Sequence, residues 1–241
     1  MAESALFRGL ATRESDLSQA PRHSATVRTT HWVATLSFLG LLVSGIAILL
    51  AHPRLYWGET GAFGTPSLLD LPIPLSLGHS GWGRSLHFLS AWVCVLSGTV
   101  YVLSGALTQH FRRDLMPTKA ELARGRVWSA TWAQLLWSRP MEEGLLRYNL
   151  LQKLTYLGVV FVLFPLIILS GLAMSPAITS AVPALVEGFG GQQSARTMHF
   201  FLASLLVLFV VVHIAMVCRA GFTRRMRGMI TGDLAARKTG R

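Results

Sequence analysis

Four long stretches without a charged side chain dominate this 241-residue sequence. They lie between Arg28 and Arg54, Arg84 and Arg112, Lys153 and Glu187, and Arg196 and Arg219. Each contains the roughly 20 apolar residues that a helix needs to cross the hydrocarbon core of a bilayer. Because a backbone in lipid must satisfy its own hydrogen bonds, such stretches fold as helices. The sequence therefore predicts an all-α integral membrane four-helix bundle, with spans at about residues 29–51, 86–108, 152–174 and 197–218.

The residues around the spans predict the domain organisation and the orientation. Residues 1–28 form a polar leader without a cleavage-site pattern, residues 29–222 the membrane domain, and residues 223–241 a basic tail. Lys and Arg concentrate before the first span, between the second and third, and after the fourth, whereas the opposite side carries only Arg54, Arg84 and Arg196. By the positive-inside rule, we expect a multi-pass protein of the bacterial inner membrane with both termini cytoplasmic.

Composition narrows the class of protein. Hydrophobic residues make up 51% of the chain, the mean hydropathy is +0.47, and the net charge is +11. We attribute this charge to orientation signals and contacts with anionic lipid head groups, and expect no nucleic-acid binding, because no recognition motif accompanies it. Cys94 and Cys218 lie inside spans, and no CxxC or CxxCH pair exists, so covalent c-type haem, a zinc site and a disulfide framework are unsupported.

Two histidines in the fourth span, His199 and His213, are fourteen residues apart. That spacing returns a helix to nearly the same face about 21 Å further along its axis. An imidazole inside a membrane is costly, and one near each surface on a single face indicates that both hold a cofactor. Haem iron is the leading candidate, because neutral imidazole is a standard axial ligand and haem b needs no covalent attachment.

Helix direction predicts a partner for each of these histidines. His31 lies at the cytoplasmic start of the first span and His87 at the opposite start of the second. By depth, His31 therefore pairs with His213, and His87 with His199, so that each pair clamps one haem. A lone histidine near a helix end is more often an interfacial residue, and we assign that role to the other four. These are His23, His52, His79 and His110.

An arginine lies three residues before three of the four candidate ligands. These arginines are Arg28, Arg84 and Arg196. At this spacing, arginine and histidine share a helix face, so that each guanidinium could pair with a haem propionate. The alternative is an ordinary arginine that sets topology and extends to the membrane surface.

Small residues and one proline interrupt the apolar spans. Pro165 predicts a local kink in the third span. The glycines could let a macrocycle approach the backbone, although close helix packing explains them equally well. They are Gly40, Gly45, Gly98, Gly105 and Gly171.

The connections carry weaker patterns. Residues 52–85 have the Gly and Pro content of ordered turns and predict a cover over the outer haem. RVWSATWAQLLWSRP, residues 126–140, resembles an interfacial amphipathic helix. Gln152, Lys153 and Tyr156 at the start of the third span are either an ordinary interfacial cluster or part of a quinone site.

Several segments together resemble the bacterial and nickel-hydrogenase-type cytochrome b family. They are RTTHW, GRSLHFLSAW, YNLLQKLTYL, GLAMSP and ARTMHFFLASLLVLFVVVH. The resemblance extends over about residues 24–222. It implies two b haems, ligated by histidines at the positions already singled out, and electron exchange with a quinone near the cytoplasmic haem. The family supplies membrane subunits to hydrogenases, formate dehydrogenases, thiosulfate reductases and related molybdenum enzymes.

The resemblance also implies a partner, because this chain contains no catalytic metal centre of its own. We expect a redox-active electron-transfer subunit that works with a periplasmic molybdopterin or iron-sulfur oxidoreductase. One alternative is a stand-alone quinone-linked haem oxidoreductase that acts on a small oxidant such as superoxide or a ferric chelate. Another alternative is a haem-free membrane anchor.

Overall fold

The computed structural model describes residues 24–60, 64–72, 81–109, 111, 116, 150–219 and 221–232. Within these residues, four helices are long and apolar enough to cross a membrane, and this confirms the predicted all-α four-span architecture. We call them the first to fourth spans: Ala25–Ala51, Gly81–Leu107, Lys153–Leu172 and Gln192–Arg219. Shorter helices are Pro176–Ala181, Pro183–Gly188 and Phe222–Thr231. The predicted amphipathic helix at residues 126–140 lies outside the described residues.

Three of the spans begin earlier than their charges suggested. The first begins at Ala25 instead of 29, and the Ser24 side chain caps it by accepting from the Val27 N–H at 3.3 Å. The second begins at Gly81 instead of 86, and the fourth at Gln192 instead of 197. A charged residue marks where a helix leaves the hydrocarbon, whereas capping groups determine where its hydrogen bonds begin.

The third span contains a π-helical turn, Val159–Leu163, between α-helical segments. The Phe164 N–H donates to the Val159 carbonyl, five residues earlier. Pro165 follows this turn, and a proline has no N–H for the α-helical bond to the residue four positions before it. The expected local distortion thus takes the form of a wider turn. The extra residue in this turn rotates the following part of the helix by about 100° about its axis, so different side chains face the neighbouring helices.

Burial in the spans is inverted relative to a water-soluble protein. Leucine, valine and phenylalanine are exposed along the outside of the bundle, as at Leu36, Phe161 and Leu208. The buried positions carry small hydroxyl side chains, which let helix backbones approach closely. They include Thr30, Ser37, Ser44, Ser90, Ser97, Ser170 and Thr197. This arrangement is typical of a protein whose surroundings are lipid.

The spans pack closely as two pairs, first with second and third with fourth. In the first pair, the Ser97 hydroxyl donates to the Thr30 carbonyl at 3.1 Å. Next to the second pair, Ala173, Val186 and Ala195 form a small buried apolar cluster. The first pair of spans contacts the fourth span through His31 and His87, which lie against His213 and His199.

One end of the bundle, which we call the hairpin end, is closed by residues 52–60. Here Arg54–Leu55 pairs antiparallel with Leu69–Asp70. The Tyr56 carbonyl accepts from the Thr197 hydroxyl at 2.6 Å, and the Gly58 N–H donates to the Ser194 hydroxyl at 2.8 Å. The Gly58 carbonyl also accepts from the Gln193 N–H at 3.0 Å. A loop after the first span thereby caps the start of the fourth.

The other end, which we call the tail end, holds the C-terminal helix Phe222–Thr231. Gly221 has a φ of +92°, a left-handed conformation that lets the chain turn sharply after the fourth span. The Trp32 indole N–H donates to the Met229 carbonyl at 3.1 Å, and Arg28 donates to the Ile230 carbonyl at 3.1 Å. The first part of the basic tail is thus a helix attached to the beginning of the first span.

Candidate functional site

The histidines at matched depths lie next to each other. At the tail end, the ring centroids of His31 and His213 are 6.4 Å apart, with 49° between the ring planes. At the hairpin end, those of His87 and His199 are 6.2 Å apart, with 63° between the planes. Both contacts connect the first helix pair to the fourth span, where the two pairs of helices otherwise pack sparsely.

These distances suit two imidazoles on opposite sides of one metal ion. A metal–nitrogen bond of about 2 Å and a ring radius of about 1.2 Å on each side sum to about 6.4 Å between centroids. In the part of the chain that the structure describes, no group of three or more His, Cys, Asp or Glu side chains could hold a metal ion. A tetrahedral zinc site needs more protein ligands, whereas haem iron needs only axial ones. The residues present therefore fit haem.

Each histidine at the hairpin end contacts a serine on a neighbouring helix. His87 Nδ1 lies 3.0 Å from Ser44 Oγ, and His199 Nδ1 lies 3.0 Å from Ser170 Oγ. Both serines have no exposed surface. The third span has no histidine, and it contributes Ser170 as a hydrogen-bond partner at this end of the bundle.

A glycine follows each of these serines and lies against the same imidazole. A Cβ added at Gly171 would lie 3.3 Å from His199 Cε1, and one added at Gly45 would lie 3.8 Å from His87 Cε1. These two glycines thus leave room for histidines. Gly40 instead faces Ser90, Gly105 faces Phe111, and Gly98 has no neighbour within 4 Å among the described residues.

Aromatic side chains surround the pair at the tail end. Trp32 meets His31 edge to face at 5.4 Å, and Phe209 stacks on His213 at 5.9 Å with 28° between the planes. His31 Nδ1 is buried and has no hydrogen-bond partner among the described residues. Its environment therefore differs from that of the two serine-bound histidines.

The three arginines expected near haem propionates differ in their contacts. Arg28 donates to the Ile230 carbonyl, and Arg196 donates to the His52 carbonyl. Arg84 is exposed on the second span. Because a guanidinium has five N–H donors, one carbonyl contact leaves others for an anion. Indeed, Arg28 Nε is buried without a partner in the described part of the chain.

A groove of about 310 Å³ lies at the tail end between the first span and the C-terminal helix. It is lined by Ala25, Arg28, Thr29, Trp32, Val33, Leu36, Met229 and Ile230. The other candidate for a polar site, at the start of the third span, includes Lys153, which is only 3% exposed and has an interaction partner. The Gln152 side chain lies outside the described residues.

Sequence reasoning missed Ser44 and Ser170. A polar side chain inside an apolar span deserves a functional hypothesis, and both serines precede a glycine, in LLVSG and IILSG. However, the second span contains the same pattern at Ser97 and Ser104, and Ser97 donates to the Thr30 carbonyl instead of contacting a histidine. The pattern alone thus indicates candidates, and helix packing decides which of them meet a histidine.

Comparisons with known proteins identify the family of this chain. The sequence model described as prokaryotic cytochrome b561 matches residues 22–232, a range that includes all four spans and the four paired histidines. A protein of Azospira oryzae, described as "Putative protein-methionine-sulfoxide reductase subunit YedZ1", is 29% identical over 213 residues. This similarity covers 87% of the present chain and 96% of the relative. No solved structure matches significantly.

Proposed function

Because the chain belongs to the prokaryotic cytochrome b561 family, we propose that it carries two b haems, one between His31 and His213 and one between His87 and His199. The family membership and the four apolar helices make it a multi-pass membrane haem protein of electron transfer. Haem iron with two imidazole ligands supplies one-electron redox chemistry. With these groups bound, the chain would carry electrons between the quinone pool and an oxidoreductase outside the membrane.

The observation that supports this proposal most strongly is that two histidines lie against each other at each end of the bundle. At centroid separations of 6.4 and 6.2 Å, the two imidazoles of each pair would hold one iron between them. Since His199 and His213 are about 21 Å apart along the fourth span, electrons can enter at one membrane surface and leave at the other.

We propose that quinone exchanges electrons at the tail end. The groove beside Arg28 and Trp32 combines a mainly apolar lining with a partly buried arginine whose Nε has no partner among the described residues, which suits a ring with carbonyl oxygens and an apolar chain. Oxidation of a quinol releases two electrons and two protons. His31 and His213 would hold the group that takes these electrons one at a time, and the protons leave to the adjacent aqueous side.

At the hairpin end, the proposed electron acceptor is a soluble oxidoreductase with a molybdopterin or iron-sulfur centre. The name of the Azospira relative supports a reductase partner. If that partner reduces a methionine sulfoxide, two electrons and two protons yield the thioether and water. The positions of Lys and Arg favour a hairpin end in the periplasm of a bacterial inner membrane and both termini in the cytoplasm.

A haem assay tests the proposal directly. A pyridine haemochrome measurement on the purified chain should return two non-covalent b haems per polypeptide, and a short-chain quinol should reduce them. One haem would remove one histidine pair from the proposal, and none would overturn it in favour of a haem-free anchor.

Two further measurements test direction and partner. A reporter fused after Arg241 should remain cytoplasmic, and one inserted between Gly61 and Ser80 should be exported. The opposite pattern would place the tail end in the periplasm and overturn the proposed electron path. Co-purification of a molybdenum or iron-sulfur subunit would support the partner. Rapid oxidation of the isolated reduced chain by superoxide or a ferric chelate would instead favour a stand-alone enzyme.

A further inference from the structure

The two serine contacts at the hairpin end repeat one local arrangement on different helices. In LLVSG and IILSG, a buried serine is followed by a glycine that faces the same histidine. Ser44 Oγ lies 3.2 Å from the Leu41 carbonyl, and Ser170 Oγ lies 3.0 Å from the Ile167 carbonyl, three residues earlier in each case. Each serine therefore contacts its own helix and one imidazole.

The direction of these hydrogen bonds follows from the number of protons. A serine hydroxyl has one proton, and Ser44 donates it to its own helix, where the Gly40 carbonyl lies at 2.6 Å. Ser170 likewise donates to the Ile167 carbonyl. His87 and His199 also hydrogen-bond to the backbones of Leu41 and Ile167, whose carbonyls can only accept, so we assign the proton of each neutral ring to Nδ1 and make each Oγ a second acceptor. Nε2 keeps the lone pair that a metal needs.

We propose that Ser44 and Ser170 are positioning residues, which hold His87 and His199 in this tautomer and lower the reduction potential of the hairpin-end haem. The inference rests on the proposed haem ligation. A hydrogen bond accepted from Nδ1–H makes the ligand more basic, and a more basic ligand stabilises ferric over ferrous iron. Both ligands of this haem have such an acceptor.

The tail-end pair provides the internal reference. His31 Nδ1 has no hydrogen-bond partner among the described residues. The side chains that pack against this pair are the aromatic rings of Trp32 and Phe209. Removal of the serine acceptors should thus change the potential of one haem and leave the other unchanged. An effect on general helix packing would not be confined to one haem in this way.

The test is a spectroelectrochemical titration of full-length Ser44→Ala, Ser170→Ala and the double variant. At a fixed applied potential, each single substitution should lower the ferric-to-ferrous ratio of the hairpin-end component roughly two- to tenfold, the range expected for one hydrogen bond. That component is identified as the one absent from His199→Ala. Ser44→Thr and Ser170→Thr retain the hydroxyl and should keep the wild-type potential.

Ser37→Ala is the matched control. Ser37 is also a buried serine of the first span, 5% exposed, but its hydroxyl donates to the Val33 carbonyl of its own helix at 2.8 Å and not to a histidine. The substitution should shift neither component.

Retention of two haems with unchanged potentials in both alanine variants would overturn the positioning inference and leave the proposed function standing. If an alanine variant loses haem and its threonine counterpart does too, the hydroxyl has no specific role and the inference fails. A wild-type chain without haem would overturn the proposed function itself.

Discussion

The two ends of the bundle hold similar histidine pairs in different ways. At the hairpin end, each imidazole has a buried serine at Nδ1 and a glycine against the ring, and a loop caps the start of the fourth span. At the tail end, the imidazoles pack against Trp32 and Phe209. Directional hydrogen bonds fix the rotation and tautomer of a ring, whereas aromatic packing fixes mainly its position. One geometry can therefore have two electronic environments in the same chain.

The largest expected effect is the loss of one haem per removed pair. His31→Ala and His213→Ala should each eliminate the same spectral component or convert it to a high-spin form, and the double variant should add little, because the two residues act as one unit. His87→Ala and His199→Ala should do the same to the other component. Haem content and reduced-minus-oxidised spectra check this. Loss of one common component in His31→Ala and His199→Ala would contradict the pairing of the two ends.

A smaller effect is expected from filling the space beside His199. The added methyl of Gly171→Ala would lie 3.3 Å from His199 Cε1, so the ring or the helix must move, at a cost of about 1–3 kcal/mol for an overpacked interior. The hairpin-end haem should be partly lost or altered, and the tail-end haem retained. Gly45→Ala is the control, since its methyl would lie at 3.8 Å from His87 Cε1. Equal sensitivity of both haems to Gly171→Ala would show that the two ends are not independent.

Trp32→Phe should loosen the C-terminal helix. The substitution keeps an aromatic ring beside His31 but removes the indole donor to the Met229 carbonyl. The loss of this one hydrogen bond costs about 1 kcal/mol. Hydrogen exchange in Phe222–Thr231 should accelerate about fivefold, while exchange around Gly58 stays unchanged. Trp92→Phe, at a residue that is 61% exposed on the second span, serves as the control. Unaltered exchange in both variants would separate the C-terminal helix from this contact.

The smallest expected effect is that of Phe209→Leu. It removes the stacking on His213, which contributes about 0.5 kcal/mol in addition to the free energy of burying the apolar surface. Both haems should remain bound, with a change in the electron paramagnetic resonance signal of the tail-end component alone, because the ring of His213 can rotate. A change in the hairpin-end signal would instead indicate that ring orientation is coupled between the two ends.

The architecture and the contacts between matched histidines followed from the sequence because both depend on long-range patterns. Charge-free length predicts a span, and helix direction places His31 at the depth of His213. The fourth helix begins earlier than its charges suggested because its cap, the Gly58 carbonyl, comes from a loop that is distant in the sequence. Contact between Ser170 and His199 depends on the rotation of the third span, which the π-helical turn before Pro165 changes. No periodicity in the sequence specifies that rotation.

The fourth span supplies one histidine to each pair, and this has a consequence for biogenesis. A nascent chain contains His31 and His87 long before it contains His199 and His213. Neither two-histidine site therefore exists until the last span has left the ribosome and entered the bilayer. We expect haem insertion to follow complete membrane integration, and a chain that stops before Gln192 to acquire no six-coordinate haem at either end.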